Sequence, residues 1–528
     1  MVKKRIGTAL QNLVEIIPPR HEIEMIKEDQ LGDFASNLAF LLAKEAKVPP
    51  KTLAERLIKQ LSNHPDFAQV VVGGNGFINF TVSDEFLYQG LKLAQEENFG
   101  KSEIGQGQKV LLEYVSANPT GPLNVVQARA ATLGNALVNI LKFVGYEVQS
   151  EYYVNDSGTQ VELFFQSLLA RIKELKGERA ELPEGGYPGQ YLVDIAKEIL
   201  AQNLPEAKWR QFSLESILKI QQNALKKFGI QFDNFVFESK FLPKIEAILK
   251  DLAKQGKSYE KDGAIWFRAA DFGDSEDRVL LTKERRQTYF LTDLVYHIDK
   301  LERGFDRLIN IWGPDHHGYI ARLKGGIAAL GYDSQKLEII IAQQVSLLKD
   351  KVKITMSKRA GEFITLDEVL DEIGSDALKF FLLMRKASQH LEFDLALAKK
   401  ATQENPVYYV QYAYARICQI MKFAKEKGLT ITKLIDFRLL KAPEERKLAK
   451  LIIYFPDVIE QAALTLEPHR LVYFSLELAT AFHYFYERQR VVTENKKLTQ
   501  ARLYLCQCVQ KVLAKLLSLI GITAPEKM

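Results

Sequence analysis

Cysteine is scarce in this chain of 528 residues, which has only Cys418, Cys506 and Cys508. An odd number of cysteines without a second closely spaced pair excludes a disulfide framework and a zinc site built from two cysteine pairs. Cysteine usage of this kind is typical of reducing compartments, so we expect a cytoplasmic protein.

Long apolar runs and a strong charge of either sign are also missing. No run of about 18 apolar residues occurs, so we predict no membrane-spanning helix. The opening MVKKRIGTALQNLVEII places Gln and Glu inside its apolar stretch, which is typical of an amphipathic helix rather than a signal peptide. The 71 basic and 66 acidic residues leave a formal net charge of +5, which permits a nucleic-acid partner without requiring one.

The length predicts two to four domains, and the sequence pattern changes twice along the chain. Residues 1–100 combine a helical stripe, TLAERLIKQL, with two β-type runs around a Gly-Asn-Gly turn, QVVVGGNGFINFTVS. This combination predicts an α+β domain with a hairpin. From 386 to 528 strand signals vanish and helical stripes continue, which predicts an all-α bundle.

Residues 101–385 alternate short apolar runs with helical patterns. The runs VLLEYVS, LINIWG and LEIIIAQQVSL are each followed by turn residues, as in parallel βαβ units. The part from about 155 to 285 is charged, is rich in helical patterns and contains a hairpin pattern. We therefore predict an α/β, Rossmann-like core whose two halves are separated by an insertion.

Residues 113–141, EYVSANPTGPLNVVQARAATLGNALVNIL, have the layout of a nucleotide site. A strand pattern leads through a Pro/Gly turn into a helical pattern that starts near Asn124. Ligands of doubly wound sheets lie beyond the carboxyl ends of strands, where the N-terminus of the next helix attracts phosphate. Asn124 and Gln127, three apart, share a helix face. The alternative interpretation is a plain strand-to-helix connection with a polar cap.

A second segment, KITMSKRAGEFITLDEVL at 353–370, crowds small and basic residues into one turn. Loops of this type can fold over polyphosphate, and lysine binds phosphate as a point charge. The alternative interpretation is a basic loop that is simply solvated.

In this order, separated by a large insertion, the two segments resemble the two signatures of class I aminoacyl-tRNA synthetases. The full set of motifs resembles the arginyl-tRNA synthetase family: VSANPTGPL, YYVNDSGTQ, YPGQYLVDIA, LINIWGPDHHGYIARL, TMSKRAG, NPVYYVQYAYARIC and APEKM. The resemblance implies a class I synthetase core, an N-terminal α+β tRNA-binding domain and a C-terminal anticodon-binding bundle. It also implies an arginine–tRNA ligase that is a monomer and works without a membrane.

By this resemblance, the enzyme activates L-arginine with ATP and Mg²⁺ and passes the arginyl group to tRNA(Arg). No protein-bound metal is expected, since the adjacent Asp315, His316 and His317 cannot all converge on one ion. Asn124, Gln127 and Lys358 are the implied catalytic residues. The implied ATP-binding residues are Asn118, Pro119, Gly121, Asn124, Val126, Gln127, Met356, Ser357 and Lys358.

The resemblance also implies an arginine pocket, because carboxylates facing a planar guanidinium can recognise it. Tyr289 and Asp293, four apart on one helix face, would hold the guanidinium, and Asp315 would lie near the same crevice. The α-amino and carboxylate end of arginine would contact Glu113, Ser116 and Asn118.

Two tRNA contact regions follow from the same resemblance. Asn75, Phe77 and Asn79 in the N-terminal hairpin would touch the elbow of the tRNA. Tyr408, Tyr412 and Arg416 in the bundle would contact the anticodon, since aromatic faces stack on unpaired bases and arginine pairs with phosphate. Aromatic residues at this spacing also suit a helix core, and Phe77 also suits the core of its domain.

The signatures depart from the family pattern. The first normally reads His-x-Gly-His, where this chain has Asn124, Val125, Val126 and Gln127, and the second normally begins with lysine, where this chain has Thr355. A neutral donor in place of a charged one costs about 1 kcal/mol, or roughly fivefold in rate. Val126 would press on the nucleotide where glycine permits close approach. The second hypothesis is therefore a weakened or inactive paralogue that binds tRNA or arginine without charging. A third, another adenylate-forming enzyme, is disfavoured by the aromatic helix at 405–419.

Overall fold

The structure, a computed structural model, describes all residues except 15, 19, 27–30, 350, 351, 354–363 and 433, and the side chains of 349, 352 and 353. The N-terminal region contains α1 (Val2–Gln11), β1 (Ile23–Met25), β2 (Phe34–Ser36), α2 (Leu38–Ala46), α3 (Pro50–Leu61), β3 (Phe67–Gly73), β4 (Phe77–Val82) and α4 (Asp84–Leu93). Its strands form an antiparallel sheet in the order β1-β2-β4-β3. The hairpin predicted around the Gly-Asn-Gly turn is the β3–β4 pair.

The middle region is built around parallel strands. It contains β5 (Lys109–Glu113), α5 (Val125–Phe143), β6 (Glu147–Val154), α6 (Gly158–Leu175), α7 (Gln190–Ala201), α8 (Glu206–Lys227), β7 (Asn234–Phe237), α9 (Ile245–Lys254), β8 (Ser258–Lys261), β9 (Ala264–Phe267), β10 (Arg278–Leu281), α10 (Tyr289–Glu302), β11 (Arg307–Trp312), α11 (Ile320–Ala329) and β12 (Leu337–Ile341). Five strands form a parallel sheet in the order β12-β11-β5-β6-β7. The chain changes direction across the sheet between β5 and β11, which is the topological switch point of a doubly wound fold.

The segment between β6 and β11 carries two attachments to this sheet. Helices α6–α8 form a small core of their own around Phe164, Leu192 and Trp209. Strands β8, β9 and β10 form an antiparallel sheet. Strand β7 lies within the range predicted as an insertion, about 155–285, yet it pairs with β6 as an edge strand of the core. The insertion range therefore includes one core strand.

A small sheet and a helical bundle complete the chain. The remaining elements are β13 (Val345–Lys349), β14 (Val352–Lys353), α12 (Leu366–Leu383), β15 (Leu391–Asp394), α13 (Leu395–Ala398), α14 (Pro406–Glu426), α15 (Pro443–Leu464), α16 (His469–Arg488) and α17 (Lys496–Leu519). Strand β13 pairs antiparallel with β14 and parallel with β15. The fold confirms the predicted α/β core, N-terminal α+β domain and C-terminal helical bundle. The short strand β15 was not expected in a region without strand signals.

Ion pairs connect the N-terminal region to the helical bundle. Asp33 is buried and accepts a hydrogen bond from the Val82 backbone N–H at 2.9 Å. Its carboxylate pairs with Arg446 and Lys450 of α15 at 3.1 and 3.0 Å, and Arg446 also reaches Asp84. Within the described residues, no helix is both long and apolar enough to cross a bilayer.

Gly134 sets how closely α5 approaches the end of β5. A Cβ atom at this position would lie 2.2 Å from the buried ring of Tyr114, the residue that follows β5. Only glycine permits this contact, so the packing of Tyr114 fixes the position of α5 and of its N-terminus.

We expect Gly134→Ala to destabilise the protein by about 1–3 kcal/mol, because the ring of Tyr114 must shift in a packed core. Scanning calorimetry should show a fall of several degrees in the unfolding midpoint. Gly7→Ala is the matched control, since a Cβ there meets nothing within 4 Å and alanine favours a helix by about 0.5–1 kcal/mol. An unchanged midpoint for Gly134→Ala would contradict this packing.

Candidate active site

The crevice at the switch point is lined from both neighbouring strands. Glu113 ends β5, and Asn310 lies beside it on β11. Ligands of doubly wound sheets bind beyond the carboxyl ends of strands at this position. The crevice is therefore the candidate active site, as the sequence predicted for residues 113–127.

The turn after β5 has a strained backbone. Val115 and Ser116 both have positive φ angles, 71° and 40°, and a branched residue in this region costs about 1–3 kcal/mol. The turn brings the Ser116 hydroxyl to Glu113 Oε1, to which it donates at 2.7 Å, and to the Tyr153 N–H, from which it accepts at 3.2 Å. The strained turn thus brings Ser116 and Glu113 together, as predicted for the α-amino end of the amino acid.

Helix α5 begins with a capping box made by the two predicted catalytic amides. Asn124 Oδ1 accepts hydrogen bonds from the N–H groups of Val126 and Gln127, at 2.9 and 3.4 Å. Gln127 Oε1 accepts from the Asn124 N–H at 3.0 Å. Both amide oxygens are therefore used by the cap. Neither amide NH₂ group donates to another side chain or carbonyl in the described part of the chain, so both can serve an anion.

Side chains of the insertion donate hydrogen bonds to the turn between β5 and α5. Gln221 of α8, 1% exposed, donates to the carbonyls of Asn118 and Gly121 at 3.0 and 2.8 Å. Tyr191 of α7 donates to the Thr120 carbonyl at 2.9 Å. The remaining predicted ATP contacts are positioned as follows: Pro119 is buried, Val126 is half-buried, and the Asn118 amide donates to Gln160 at 2.6 Å.

Met356, Ser357 and Lys358 of the second signature, together with Thr355, lie outside the described residues. The chain that follows them returns to the first signature. Thr365 forms an isolated antiparallel bridge with Asn124, and the Leu366 N–H donates to the Leu123 carbonyl at 2.8 Å. Lys358 precedes Thr365 by seven residues in the sequence. A fully extended segment of that length spans about 25 Å. Thr365 and Leu366 therefore join the chain after the second signature to the start of α5.

Arg129 joins α5 to the segments on either side of this loop region. Its guanidinium, buried within α5, donates to the carbonyls of Gln343, Lys386 and Gln389 at 2.7–2.9 Å. Burial lowers the pKa of Arg129 to about 10, so the side chain remains charged at neutral pH. Because these carbonyls flank β13 and α12, Arg129 holds both against the helix that carries Asn124.

The predicted amino-acid slot contains buried carboxylates. Glu113 and Asp293 are 6% and 7% exposed, and the Lys300 ammonium donates to Glu113 Oε2. Asp293 Oδ2 is buried and has no hydrogen-bond partner among the described residues. Asp293 thus offers one unused acceptor oxygen to a ligand.

Tyr289 and Asp315 lie at the rim of the slot rather than inside it. Tyr289 is half-exposed, and its ring lies 5.9 Å from that of Tyr319. The Asp315 side chain is exposed and approaches His316 at 3.5 Å. Both line a cavity of about 690 Å³ together with Arg278 and Arg322. No group of side chains in the described part of the chain could hold a metal ion.

Sequence reasoning missed Glu238, a third buried carboxylate of the slot. Glu238 is 6% exposed, begins a 3-10 helix directly after β7, and accepts hydrogen bonds from Tyr153 at 3.0 Å and from Ser157. Burial raises the pKa of Glu238, and the nearby Asp156 and Asp293 raise it further. No motif marks this residue. The only available signal was its position after a short β-type run, which is where a strand would deliver it to the crevice.

The predicted anticodon residues form one surface of the bundle. The rings of Tyr408 and Tyr412 stack at 6.0 Å. The Arg416 guanidinium lies between the rings of Tyr412 and Tyr486, 4.5 and 4.7 Å from their centroids. Tyr412, Arg416 and Tyr486 line a cavity of about 970 Å³ with Arg490. These side chains are thus available at the surface and are not buried in the helix core.

The three predicted hairpin residues differ in exposure. Asn75 is exposed and Phe77 is 44% exposed, with its ring edge against Phe40 at 4.9 Å. Asn79 is buried, and its amide donates to the Leu31 carbonyl at 2.8 Å. Asn75 and Phe77 therefore remain available to a partner, whereas Asn79 holds the chain before β2.

Three family profiles match consecutive parts of the chain. They describe an arginyl-tRNA synthetase N-terminal domain at residues 1–82, a class I (R) tRNA synthetase catalytic domain at 91–186 and 190–401, and a DALR anticodon-binding domain at 410–528.

Relatives match over nearly the whole chain. The arginine–tRNA ligase of Moorella thermoacetica is 44% identical over 527 residues, covering 97% of this chain and 94% of that protein. That of Syntrophotalea carbinolica is 42% identical over 550 residues, covering 100% and 99%. The arginyl-tRNA synthetase structure from Thermus thermophilus shares the fold, with a TM-score of 0.82 at 21% identity over 100% of both chains. These matches give no support to an inactive paralogue.

We expect Glu238→Gln to stabilise the protein and to lower its affinity for the guanidinium group of arginine. Because burial raises the pKa of Glu238, its ionised form opposes folding at neutral pH, and this cost disappears as pH falls through the raised pKa. We expect a higher unfolding midpoint at about pH 7.5, a gain that shrinks toward about pH 5. Affinity for arginine, measured calorimetrically, should fall about tenfold or more.

The control for this variant is Glu178→Gln, which changes an exposed glutamate and should alter neither quantity. A Glu238→Gln protein that is less stable at neutral pH, or that binds arginine like the parent, would contradict the assignment of Glu238 to the slot.

Proposed function

The chain belongs to the arginyl-tRNA synthetase family, and we propose that the crevice between β5 and β11 is where it activates L-arginine with ATP. The activity is that of an arginine–tRNA ligase, which charges tRNA with arginine. The observation that carries the assignment of the crevice is the buried Asp293 Oδ2, which has no hydrogen-bond partner among the described residues.

Arginine would enter the slot with its guanidinium toward Asp293 and Glu238. A guanidinium has five N–H donors in a planar fork and no acceptor, so it suits a pocket that offers carboxylate oxygens. Tyr289 would cover the guanidinium from the rim. The α-amino group would contact Glu113, Ser116 and Asn118, which lie at the carboxyl end of β5. The slot thus favours arginine over a neutral isostere, because neutral ligands leave the carboxylates unpaired.

ATP would lie across the N-terminus of α5. The positive end of the helix and the free amide NH₂ groups of Asn124 and Gln127 would face its phosphates. Lys358 would contact the β- and γ-phosphates, with Met356 and Ser357 beside the nucleotide. Mg²⁺ would arrive on the phosphates of ATP rather than in a protein cage.

The chemical step is attack of the arginine carboxylate on the α-phosphorus. One carboxylate oxygen forms the new P–O bond, and the bond to the bridging oxygen breaks so that pyrophosphate leaves. The protein would contribute mainly position and donors that stabilise the charge on the phosphoryl oxygens. The arginyl group then passes from the adenylate to the 3′ end of the tRNA.

The altered first signature is compatible with this chemistry. In the capping box both amides use their oxygens within the protein, so the group left over on each is a donor, as on a protonated ring nitrogen of histidine. At Asn124 and Gln127 the difference from the family pattern is then the loss of charge, which costs about 1 kcal/mol per donor.

We propose that tRNA(Arg) contacts two surfaces. The anticodon would stack on Tyr408 and Tyr412 and pair with Arg416, whose guanidinium lies 4.5 and 4.7 Å from the ring centroids of Tyr412 and Tyr486. The elbow of the tRNA would contact Asn75 and Phe77 of the hairpin. We expect a monomer, as the family resemblance implies, acting in the cytoplasm, as the cysteine usage suggests.

Arginine-dependent ATP–pyrophosphate exchange, measured with tRNA(Arg) present, tests this proposal. Asn124→Ser keeps a capping oxygen but removes the NH₂ donor, so we expect an unchanged unfolding midpoint and a rate about two- to tenfold lower. Asn124→Asp keeps the cap and places a negative charge at the phosphates, so it should reduce exchange much further.

Absence of arginine-dependent exchange in the parent protein would overturn the proposal and favour the inactive paralogue. Equal rates for the parent, Asn124→Ser and Asn124→Asp proteins would remove Asn124 from the ATP site while leaving the function intact.

A further inference from the structure

Three polar side chains lie beneath the amino-acid slot without facing it. Lys300 and His297 belong to α10 and Asn310 belongs to β11, and each is at most 1% exposed. The Lys300 ammonium donates to Asn310 Oδ1 at 3.2 Å, and Asn310 Nδ2 lies 2.8 Å from His297 Nε2. The other ring nitrogen, His297 Nδ1, lies 3.1 Å from Asp293 Oδ1 and 2.8 Å from the Asp293 carbonyl. The chain of contacts therefore ends at the carboxylate proposed to bind guanidinium.

The direction of every hydrogen bond in this chain follows from its first member. An ammonium can only donate, so the atom of Asn310 that faces Lys300 must be the amide oxygen. The amide NH₂ of Asn310 then faces His297 and donates to Nε2, which must carry a lone pair. The proton of a neutral imidazole therefore lies on Nδ1, which donates to the Asp293 backbone carbonyl at 2.8 Å and lies 3.1 Å from the Asp293 carboxylate.

Lys300 also reaches the other end of the slot. It donates to Glu113 Oε2, while Glu113 Oε1 accepts from Ser116 at 2.7 Å. The ammonium further lies 4.2 Å from the centroid of the Tyr296 ring. The buried Lys300 thus contacts Glu113 directly. It is connected to Asp293 through Asn310 and His297.

We propose that Lys300 is a positioning residue that fixes the direction of the hydrogen bonds through Asn310 and His297 to Asp293. The consequence is a neutral His297 and an Asp293 that keeps its full negative charge and a free Oδ2. The proposal rests on the proposed function, because it assumes that this slot holds the guanidinium of arginine.

The charge state of His297 matters because of its distance from Asp293. An imidazolium at 3.1 Å would neutralise the carboxylate and repel a guanidinium arriving at its second oxygen. A proton on Nε2 alone would instead leave two lone pairs, on Nδ1 and on Asp293, facing each other. The observed direction of the hydrogen bonds avoids both arrangements. The chain of hydrogen bonds from Lys300 to Asp293, here called the relay, therefore favours binding of the arginine guanidinium.

Asn310→Asp is the decisive variant because it preserves shape and removes the only donor to His297 Nε2 among the described contacts. An aspartate at this position would accept a hydrogen bond from a protonated Nε2 and so favour the imidazolium. We expect the KM for arginine in pyrophosphate exchange to rise about tenfold or more, the effect of one weakened charged hydrogen bond. The KM for ATP should stay within about twofold, because Asp293 does not face the nucleotide. Asn98→Asp, at an exposed site, is the matched control and should leave both constants unchanged.

The ¹⁵N spectrum of histidine-labelled protein reports the protonation of each ring nitrogen of His297. A purely structural role of Asn310 would not change this protonation. In the parent, His297 should show an unprotonated Nε2 and a protonated Nδ1, and in Asn310→Asp both nitrogens should be protonated. The signals are assigned by their loss in His297→Asn. That variant keeps a donor near the position of Nδ1 and should retain more arginine affinity than His297→Leu.

A protonated Nε2 in the parent protein would overturn the proposal, as would an unchanged KM for arginine in a folded Asn310→Asp protein. Should that variant fail to fold, the parent spectrum and the comparison of His297→Asn with His297→Leu still decide. A parent that binds no arginine would defeat the proposed function, while the spectrum would still report the direction of the relay.

Discussion

The active site depends on a single electrostatic constraint, which is that more carboxylates than cations are buried at the crevice. Glu113, Asp293 and Glu238 are each at most 7% exposed, and Lys300 forms its ion pair with Glu113. Neither of the other two pairs with a lysine or arginine in the described part of the chain. Burying such charges is unfavourable without a partner. The rest of the fold must therefore hold them in place until a cation arrives.

The framework that holds these groups is assembled from distant parts of the chain. Strand β5 supplies Glu113, β7 delivers Glu238, and α10 carries Asp293 and Lys300. Parallel pairing of β5 with β6 and β11 brings the carboxyl ends of these strands together. Each of these side chains is buried on a helix or strand and not on an exposed loop, which favours a rigid site.

The nucleotide side of the crevice follows a different principle. Its main contribution comes from the backbone: a strained turn, a capped helix start and the contacts of Thr365 and Leu366 with the start of α5. The insertion helices hold this turn through Gln221 and Tyr191, so the insertion is part of the site and not an appendage. The altered signature residues fit this picture, since a capping box keeps the helix start rigid where the family pattern has histidines.

Local pattern was enough to predict much of this protein. Strand and helix periodicity indicated the α/β core, the β3–β4 hairpin and the helical bundle, because those signals lie within a few residues of one another. The turn at 113–127 was also predicted from a local pattern. Glu113, Ser116 and Asp293, which come from separate motifs, are connected by side-chain contacts through Lys300, Asn310 and His297.

What the sequence could not reveal depends on long-range pairing. Strands β7 and β15 have four residues each, too short for a reliable alternation, and both are stabilised by neighbours far away in the chain. Glu238 joins the slot only because β7 pairs with β6. The burial of Asn79 follows from the packing of the hairpin against the chain at Leu31, which no local pattern reports. The direction of the hydrogen bonds through Asn310 likewise depends on its contacts with Lys300 and His297, which the sequence does not reveal.

The most direct test of the charge constraint is calorimetric binding of arginine and of citrulline, its neutral isostere, to the parent protein and to Asp293→Asn. The account predicts that the parent prefers arginine strongly and that the variant loses about 10- to 100-fold in arginine affinity, the loss expected for a charged hydrogen bond, with little change for citrulline. A variant that binds arginine as tightly as the parent, or a parent that does not distinguish the two ligands, would contradict it.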